Sequence, residues 1–391
     1  MLEEIYKGFS CPAEELDPEV LDAIVAARMQ RVVDVFLERY AGPLAASSEG
    51  LVDDLSAWSS HDASLRDVWN TAFGMAERLV ALEGPAEAAG LSEPVVYGAR
   101  LALAMHAAGL DGGFRAAFPQ PVRLRFDRFF LPATKTISVQ GDRTSLAIDL
   151  NGGGRVAFTR AGDPGTPWQA ERPADGQDEL RQVPIEDGTV TFVTDEVLGD
   201  ERQEGLTYGI AAATDEVADA WRAAFDLVRR CSPSYLQWID RGIRDIVPVD
   251  VPGGAMVSGS HTQRWGEVYM TSRLQPLQFA EMLVHEVSHQ HYFFGGFLAP
   301  VEDGSDTHLY YSPVKKTGRP IDKILLAYHA FANVILFYRQ CREHGVETGM
   351  EESTILPELA QLEEPLRQTR GLTPLGRAFW EPLAERIAGN A

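Results

Sequence analysis

The chain reads as an α+β fold, mainly helical. It has a helical N-terminal part, a β-rich middle segment, and a helix with paired histidines directly after a strand. Two textures and one motif predict this. Apolar residues recur at three- and four-residue steps over about the first 115 positions and again from 214 onward. Between them, from Pro121, the pattern turns to alternation of period two. The motif is Val284-His285-Glu286-Val287-Ser288-His289, in which two imidazoles lie four residues apart.

Taken in order, helix is predicted from Pro18 to Tyr40, over Ser64–Phe73 and over Pro94–Ala108, with breaks at Gly42-Pro43, Gly84-Pro85 and Gly109. Strands follow at Val122–Phe126, Thr136–Val139, Ser145–Leu150, Arg155–Thr159 and Thr189–Val193. Ala161–Gln182, rich in Pro, Gly and Asp, reads as an exposed loop. Helix returns at Thr214–Cys231, and a short strand is expected at Glu267–Thr271. Helices then follow at Pro276–Phe294 and Ile321–Glu343, with two more to the end. The chain divides into a helical region 1–118, a β-rich region 119–200 and a catalytic region 201–391, expected to form one compact unit.

Composition narrows the function. The 391 residues carry 35 Lys+Arg against 57 Asp+Glu, a net charge of −22, with 45% apolar and 24% charged residues. That is the balance of a globular protein with a sizeable core. An acidic surface argues against a broad nucleic-acid footprint, which needs clustered Lys and Arg. The longest apolar run, Ile324 to Tyr338, contains His329 and Asn333. It falls short of the ~20 residues of a membrane span, so no membrane association is expected. Cys11, Cys231 and Cys341 are odd in number and form no CxxC pair. With no basic n-region and apolar h-region at the start, they point to a reducing cytoplasm and no disulfide framework.

The His285-to-His289 spacing puts both rings on one helix face, one turn apart, as two ligands of a single metal require. Phe279, Met282, Leu283 and Val287 supply the apolar stripe of this zincin-like helix. A third ligand is needed. The metzincin pattern is excluded, because Tyr292 and Gly295 stand where Gly and His would be. His291 lies two residues past His289 and points elsewhere. Glu302 and Glu343 lack a helix-borne Glu-x-x-x-Asp/Glu spacing. His329, inside an otherwise apolar helix beside Leu325, Ala332 and Leu336, is the favoured third ligand. Arg319, ten residues before His329 and ahead of Pro320 at a helix N1, is a candidate clamp for a carboxylate.

These segments resemble a known family. Ser258-Gly-Ser-His-Thr-Gln-Arg-Trp-Gly-Glu-Val-Tyr-Met, Leu283-Val-His-Glu-Val-Ser-His-Gln, Tyr310-Tyr-Ser-Pro, Gly318-Arg-Pro and His329-Ala-Phe-Ala look like the HExxH-motif peptide-modification proteins. Those proteins are iron- and 2-oxoglutarate-dependent peptide β-hydroxylases of ribosomal peptide pathways. The resemblance covers Met256 to Arg339. The chain departs from many members at Val314-Lys315, where they carry Trp-Arg, and at Leu326, where they carry His.

The resemblance implies a mononuclear Fe(II) held by His285, His289 and His329, with 2-oxoglutarate as cosubstrate and O₂ as oxidant. Arg319 would pair with the distal carboxylate of 2-oxoglutarate, with Arg264, Arg273 or Lys315 next in line. The substrate would be a peptide of the ribosomal-precursor kind, paired along the Glu267–Thr271 strand and hydroxylated at a side-chain β-carbon. Glu286 has no required role in such a cycle: it would orient a metal-bound water or simply be retained from a peptidase-like scaffold. The alternative is a zinc peptidase on the same two histidines, with Glu286 as general base. A third reading is an inactive peptide-binding module on the same scaffold.

Overall fold

The computed structural model describes residues 2–14, 16–58, 65, 69–81, 94–151, 154–161, 166–172, 177–185, 188–193, 208–251, 253 and 255–389. Helices α1 (Leu2–Lys7), α2 (Pro18–Ser47), α3 (Leu51–Ala57), α4 (Thr71–Ala81) and α5 (Pro94–Ala108) open the chain, with a short strand β1 (Ser48–Glu49) after α2. Asp17 caps α2 by accepting from the Glu19 amide at 2.9 Å, with Pro18 in the first turn. The expected break at Gly42-Pro43 does not occur, because α2 runs through Pro43. Burial of Phe36 and Leu44 on either side holds the helix across the hydrogen bond that proline removes. The predicted break at Gly84-Pro85 and most of the stretch 64–68 lie outside the described residues. At the other predicted break α5 stops on cue, since Gly109 adopts φ +109°.

The switch to strand comes earlier than the expected boundary at 118. β2 (Gly112–Val122) pairs with β5 (Thr134–Gly141), burying Phe114, Ala116 and Phe118 on one face. The prolines at 119 and 121 obscure this strand in sequence. They sit where the register shifts between Ala117 and Val122, so neither interrupts a regular ladder. Short strands β3 (Arg125–Phe126) and β4 (Phe129–Phe130) intervene. β6 (Ser145–Leu150) and β7 (Arg155–Thr159) fall where alternation places them. The supposed loop 161–182 holds two strands, β8 (Gln169–Arg172) and β9 (Asp178–Glu179). One sheet has the order β1-β2-β5-β6-β7-β8, and β3-β4-β9 form a small second one.

The sheet that matters for function is built from distant segments: β10 (Gln182–Pro184), β11 (Thr189–Phe192), β12 (Gly209–Ile210), β13 (Asp245–Asp250), β14 (Ser258–Ser260) and β15 (Glu267–Thr271). Its order is β10-β11-β13-β15-β14, with β12 also on β13, and β13 runs parallel to both β11 and β15. It spans the boundary expected near 200. Helices α6 (Asp215–Cys231), α7 (Pro233–Gly242) and α8 (Pro276–Gly296) pack on one face, where Ile246, Val268 and Met270 join the main core. On the other face Val247, Val249 and Tyr269 meet Phe130, Leu180 and Val193. A hairpin, β16 (Tyr310–Ser312) and β17 (Thr317–Arg319), leads into α9 (Ile321–Glu343), and α10 (Gly349–Gln368) and α11 (Pro374–Gly389) close the chain. Pro320 is the N-cap of α9 and not its first helical residue. α9 is long and apolar enough to cross a membrane by length and composition, but most of it is buried as a core helix. One core runs from Phe9 to Leu383.

Candidate metal centre

α8 starts at a capping box: the Gln278 side chain accepts from the Gln275 amide at 3.1 Å, with Pro276 in the first turn. The helix is buried nearly all round, by Phe279, Met282, Leu283 and Val287 among others. That fixes its rotation and leaves one face for His285 and His289, whose ring centroids stand 4.8 Å apart at 87°. The ligand atoms of His285, Glu286 and His289 lie within 4.8 Å of one another. His285 also packs edge-on to Phe331 of α9, centroids 5.1 Å apart.

Glu286 is buried and held by two hydroxyls. Ser258 Oγ donates to Oε1 at 2.6 Å and Ser260 Oγ to Oε2 at 2.5 Å. The register explains both bonds: Ser258 pairs with Met270 and Ser260 with Val268, so the two serines share the sheet face that looks at α8. Gly259 between them faces the other way, against the Tyr269 ring. Burial pushes the Glu286 carboxyl up to about 7, against the opposing pull of the serine hydroxyls and the Lys315 ammonium.

The imidazoles move in the opposite direction. Burial, with the Lys315 charge behind it, lowers His285 to about 4. Burial, then the neighbouring His285, His329 and Lys315, holds His289 well below its ordinary range. Both are therefore neutral at pH 7, the form that ligates metal. Among the described residues, His289 Nδ1 is buried with no hydrogen-bond partner. An orphaned nitrogen beside a second neutral imidazole and a carboxylate is a donor set that suits a divalent transition metal.

His329 is not brought into this group. Its Nε2 lies 2.9 Å from the Phe9 carbonyl oxygen, inside an aromatic box of Trp238, Tyr292 and Phe379 at centroid distances of 6.5, 6.0 and 5.0 Å. It occupies the place of a core histidine tying α9 to the N-terminal segment. His291 is likewise elsewhere, stacked on Trp238 at 3.7 Å. Arg319 is half-buried on β17 opposite Tyr310, and Arg264 is bound to Glu267 at 2.6 and 2.7 Å. The cation whose field reaches His285, Glu286 and His289 is Lys315, in the turn of the hairpin, its amide donating to Ser312 Oγ at 3.3 Å.

The strand expected to receive a peptide, Glu267–Thr271, has no open edge, because β13 and β14 flank it. The outer strand beside α8 is β14. Ser258 and Ser260 were legible only as an alternating pair ahead of a strand, and nothing local assigns them to Glu286. No protein-family model matches the chain, and no curated protein matches it either.

Proposed function

We propose that this protein hydroxylates a side chain of a peptide using Fe(II), 2-oxoglutarate and O₂. The observation that carries this reading is the group of two half-buried neutral imidazoles and one buried carboxylate, His285, His289 and Glu286, within the field of the Lys315 cation. Two histidines and one carboxylate with open positions are the donor set of non-haem iron oxygenases. When bound, iron with 2-oxoglutarate supplies the oxidant for an unactivated C–H bond. The chain's own residues do the rest. His285 and His289 hold the metal, while Ser258 and Ser260 fix the Glu286 carboxylate as its third protein donor. The hairpin offers Lys315 and Arg319 to the distal carboxylate of 2-oxoglutarate. β14, the edge strand, offers its outer backbone to an extended peptide. Three buried free thiols fit a reducing compartment, and the cytoplasm is the compartment this reading assigns.

A zinc peptidase is the second reading, favoured by one observation: a Glu286 carboxyl near 7 is matched to general-base work at neutral pH. Metal content and products separate the two. In the hydroxylase, iron-loaded protein forms succinate with a +16 Da peptide product. His285→Ala and His289→Ala lose the metal, and Glu286→Gln binds iron at least roughly tenfold more weakly. In the peptidase, Glu286→Gln keeps its zinc and loses about 10²–10⁴-fold in peptide cleavage. Amide cleavage without succinate overturns the hydroxylase. Between the two hairpin cations, Lys315→Ala should raise the 2-oxoglutarate KM more than Arg319→Ala, by about fivefold for an exposed cation.

A further inference from the structure

The hairpin that carries Lys315 differs from the rest of the surface in two ways. Of the six large apolar side chains that stand exposed among the described residues, three fall within six positions: Leu309 at 61%, Tyr311 at 57% and Val314 at 38%. The chain also has only five lysines, and three of them, Lys315, Lys316 and Lys323, fall within nine positions, with Arg319 between them. From Thr307 to Ile321 there is no Asp or Glu, in a chain whose net charge is −22. Lys323 pairs with Asp322 at 3.0 Å. Among the described residues no ion pair holds Lys315, Lys316 or Arg319.

Pairing of β16 with β17 sorts these side chains. Tyr310 lies opposite Arg319 and Ser312 opposite Thr317, and this face turns to the protein: Ser312 is buried, and Tyr310 Oη donates to Asp306 at 2.8 Å. Tyr311 lies opposite Gly318, on the other face. Leu309 joins it there, since a Cβ on Gly318 would meet the Leu309 Cβ at 3.2 Å. Glycine gives the Tyr311 ring no cross-strand side chain to pack on, so both apolar groups stay open to solvent. In the turn, the Lys316 amide donates to the Ser312 carbonyl at 2.7 Å. Lys316 takes φ +53°, which glycine adopts freely and an L side chain does not, so the turn keeps an ammonium where glycine would suit the backbone better. The same turn reaches the metal centre, because the Lys315 charge acts on His285, Glu286 and His289. Met256, another of the exposed apolar side chains, stands two residues ahead of β14, the strand whose serines hold Glu286.

We propose that this hairpin docks an acidic peptide segment with apolar side chains, which lies on Leu309, Tyr311 and Val314 and sets its carboxylates against Lys316. Charge selects this occupant. A cationic patch on an otherwise acidic molecule attracts acidic segments and repels basic ones. A second copy of the chain brings its own net charge of −22, and an anionic membrane would meet the acidic surface around one small patch. The proposal rests on the reading of the substrate as a peptide. It holds for hydroxylase and peptidase alike, because neither reaction enters it.

Fluorescence anisotropy with metal-free full-length protein at low salt tests it with three labelled probes. One peptide alternates Asp or Glu with Leu or Phe, a second carries Lys for each acid, and a third carries Ser for each apolar residue. The first should bind about tenfold more tightly than either control. Lys316→Glu and Tyr311→Ser should each weaken it by about tenfold, and raised salt should weaken it in the wild type. Both side chains are exposed, so the fold should survive, and an unchanged melting midpoint checks this. Equal affinity for the three probes, unchanged affinity in either variant, or no binding at all overturns the proposal. So does cosedimentation with phosphatidylserine vesicles, or a concentration-dependent dimer, that is lost in Tyr311→Ser while peptide affinity is kept; the surface would then belong to lipid or to a second copy. Failure of the hydroxylase reading is a separate result. Iron-loaded protein that forms no succinate leaves these affinities standing, and unchanged affinities in the variants leave succinate formation standing.

Discussion

The two faces of the β10-to-β15 sheet bury ionisable groups by opposite means. Toward α8, Glu286 is buried against two hydroxyl donors beside the half-buried His285 and His289, and the described residues offer the three no ion pair. Their protonation equilibria shift instead, Glu286 up to about 7 and His285 down to about 4. On the far face Asp245 and Glu267, next to each other in register, are each met by a two-pronged arginine. Burial penalises an ion unless a counter-ion compensates it. A group left uncompensated moves toward its neutral form, which readies an imidazole for a metal and brings a carboxyl close to the point where it exchanges its proton. A compensated group keeps its charge and serves as scaffold.

Breaking one pair on the far face should cause the larger loss of stability. Arg125→Met leaves Asp245 buried without its partner, and removal of one member of a buried pair costs about 3 kcal/mol or more. Urea denaturation should show the midpoint falling with an unchanged slope. Asp245→Asn on the Arg125→Met background should recover part of the loss. A fall of under half a kilocalorie would mean that the pair is solvated.

The same operation on the α8 face should do less. Ser258→Ala removes one hydroxyl from a carboxyl that can take up a proton, so the expected cost in metal-free protein is about 1–2 kcal/mol. Ser260→Ala should match it, and the double variant should exceed the sum, because one carboxyl then loses both donors. An additive double variant would show that the two bonds are independent.

An effect confined to acid pH separates His329 from the metal group. Burial lowers its imidazole from 6.5 to about 4, although the Phe9 carbonyl pulls the other way. The folded state therefore binds fewer protons than the unfolded chain between these values. Its contribution to stability is complete above about pH 6.5 and is lost as the pH falls toward 4. His329→Gln should flatten that part of the acid limb in denaturant melts and leave the metal content at neutral pH unchanged. Loss of metal from His329→Gln would return this histidine to the ligand set.

Local patterns carried much of the fold. β6, β7, β15 and α9 lie where alternation or helical spacing put them, and Thr214 caps α6 through the Val217 amide at 3.3 Å. β13 was invisible, because Asp-Ile-Val-Pro-Val-Asp has a proline at its centre and aspartates at its ends. In the sheet the Pro248 carbonyl accepts from the Ala211 amide at 2.8 Å, just past the antiparallel strand β12, and the parallel strand β15 flanks the proline on its other side. β8 and β9 were hidden in a segment whose composition is that of a loop.

The candidate site divides in the same way. Spacing within one helix is a local property, so His285 and His289 could be read as a ligand pair from six consecutive residues. Glu286 is not legible there as a third donor, and that place falls to His329. What surrounds them is set by contacts between segments far apart in the chain. Ser258 and Ser260 reach Glu286 only through the β14–β15 register, and Lys315 reaches the histidines only through the fold of a hairpin. His329 was drawn toward Phe9, 320 positions away, by a carbonyl that needed a donor. Sequence alone determined which side chains share a helix face, because 3.6-residue periodicity follows from the backbone. Only tertiary packing decided which of them share an environment, because burial and hydrogen-bond pairing are satisfied across the whole chain at once.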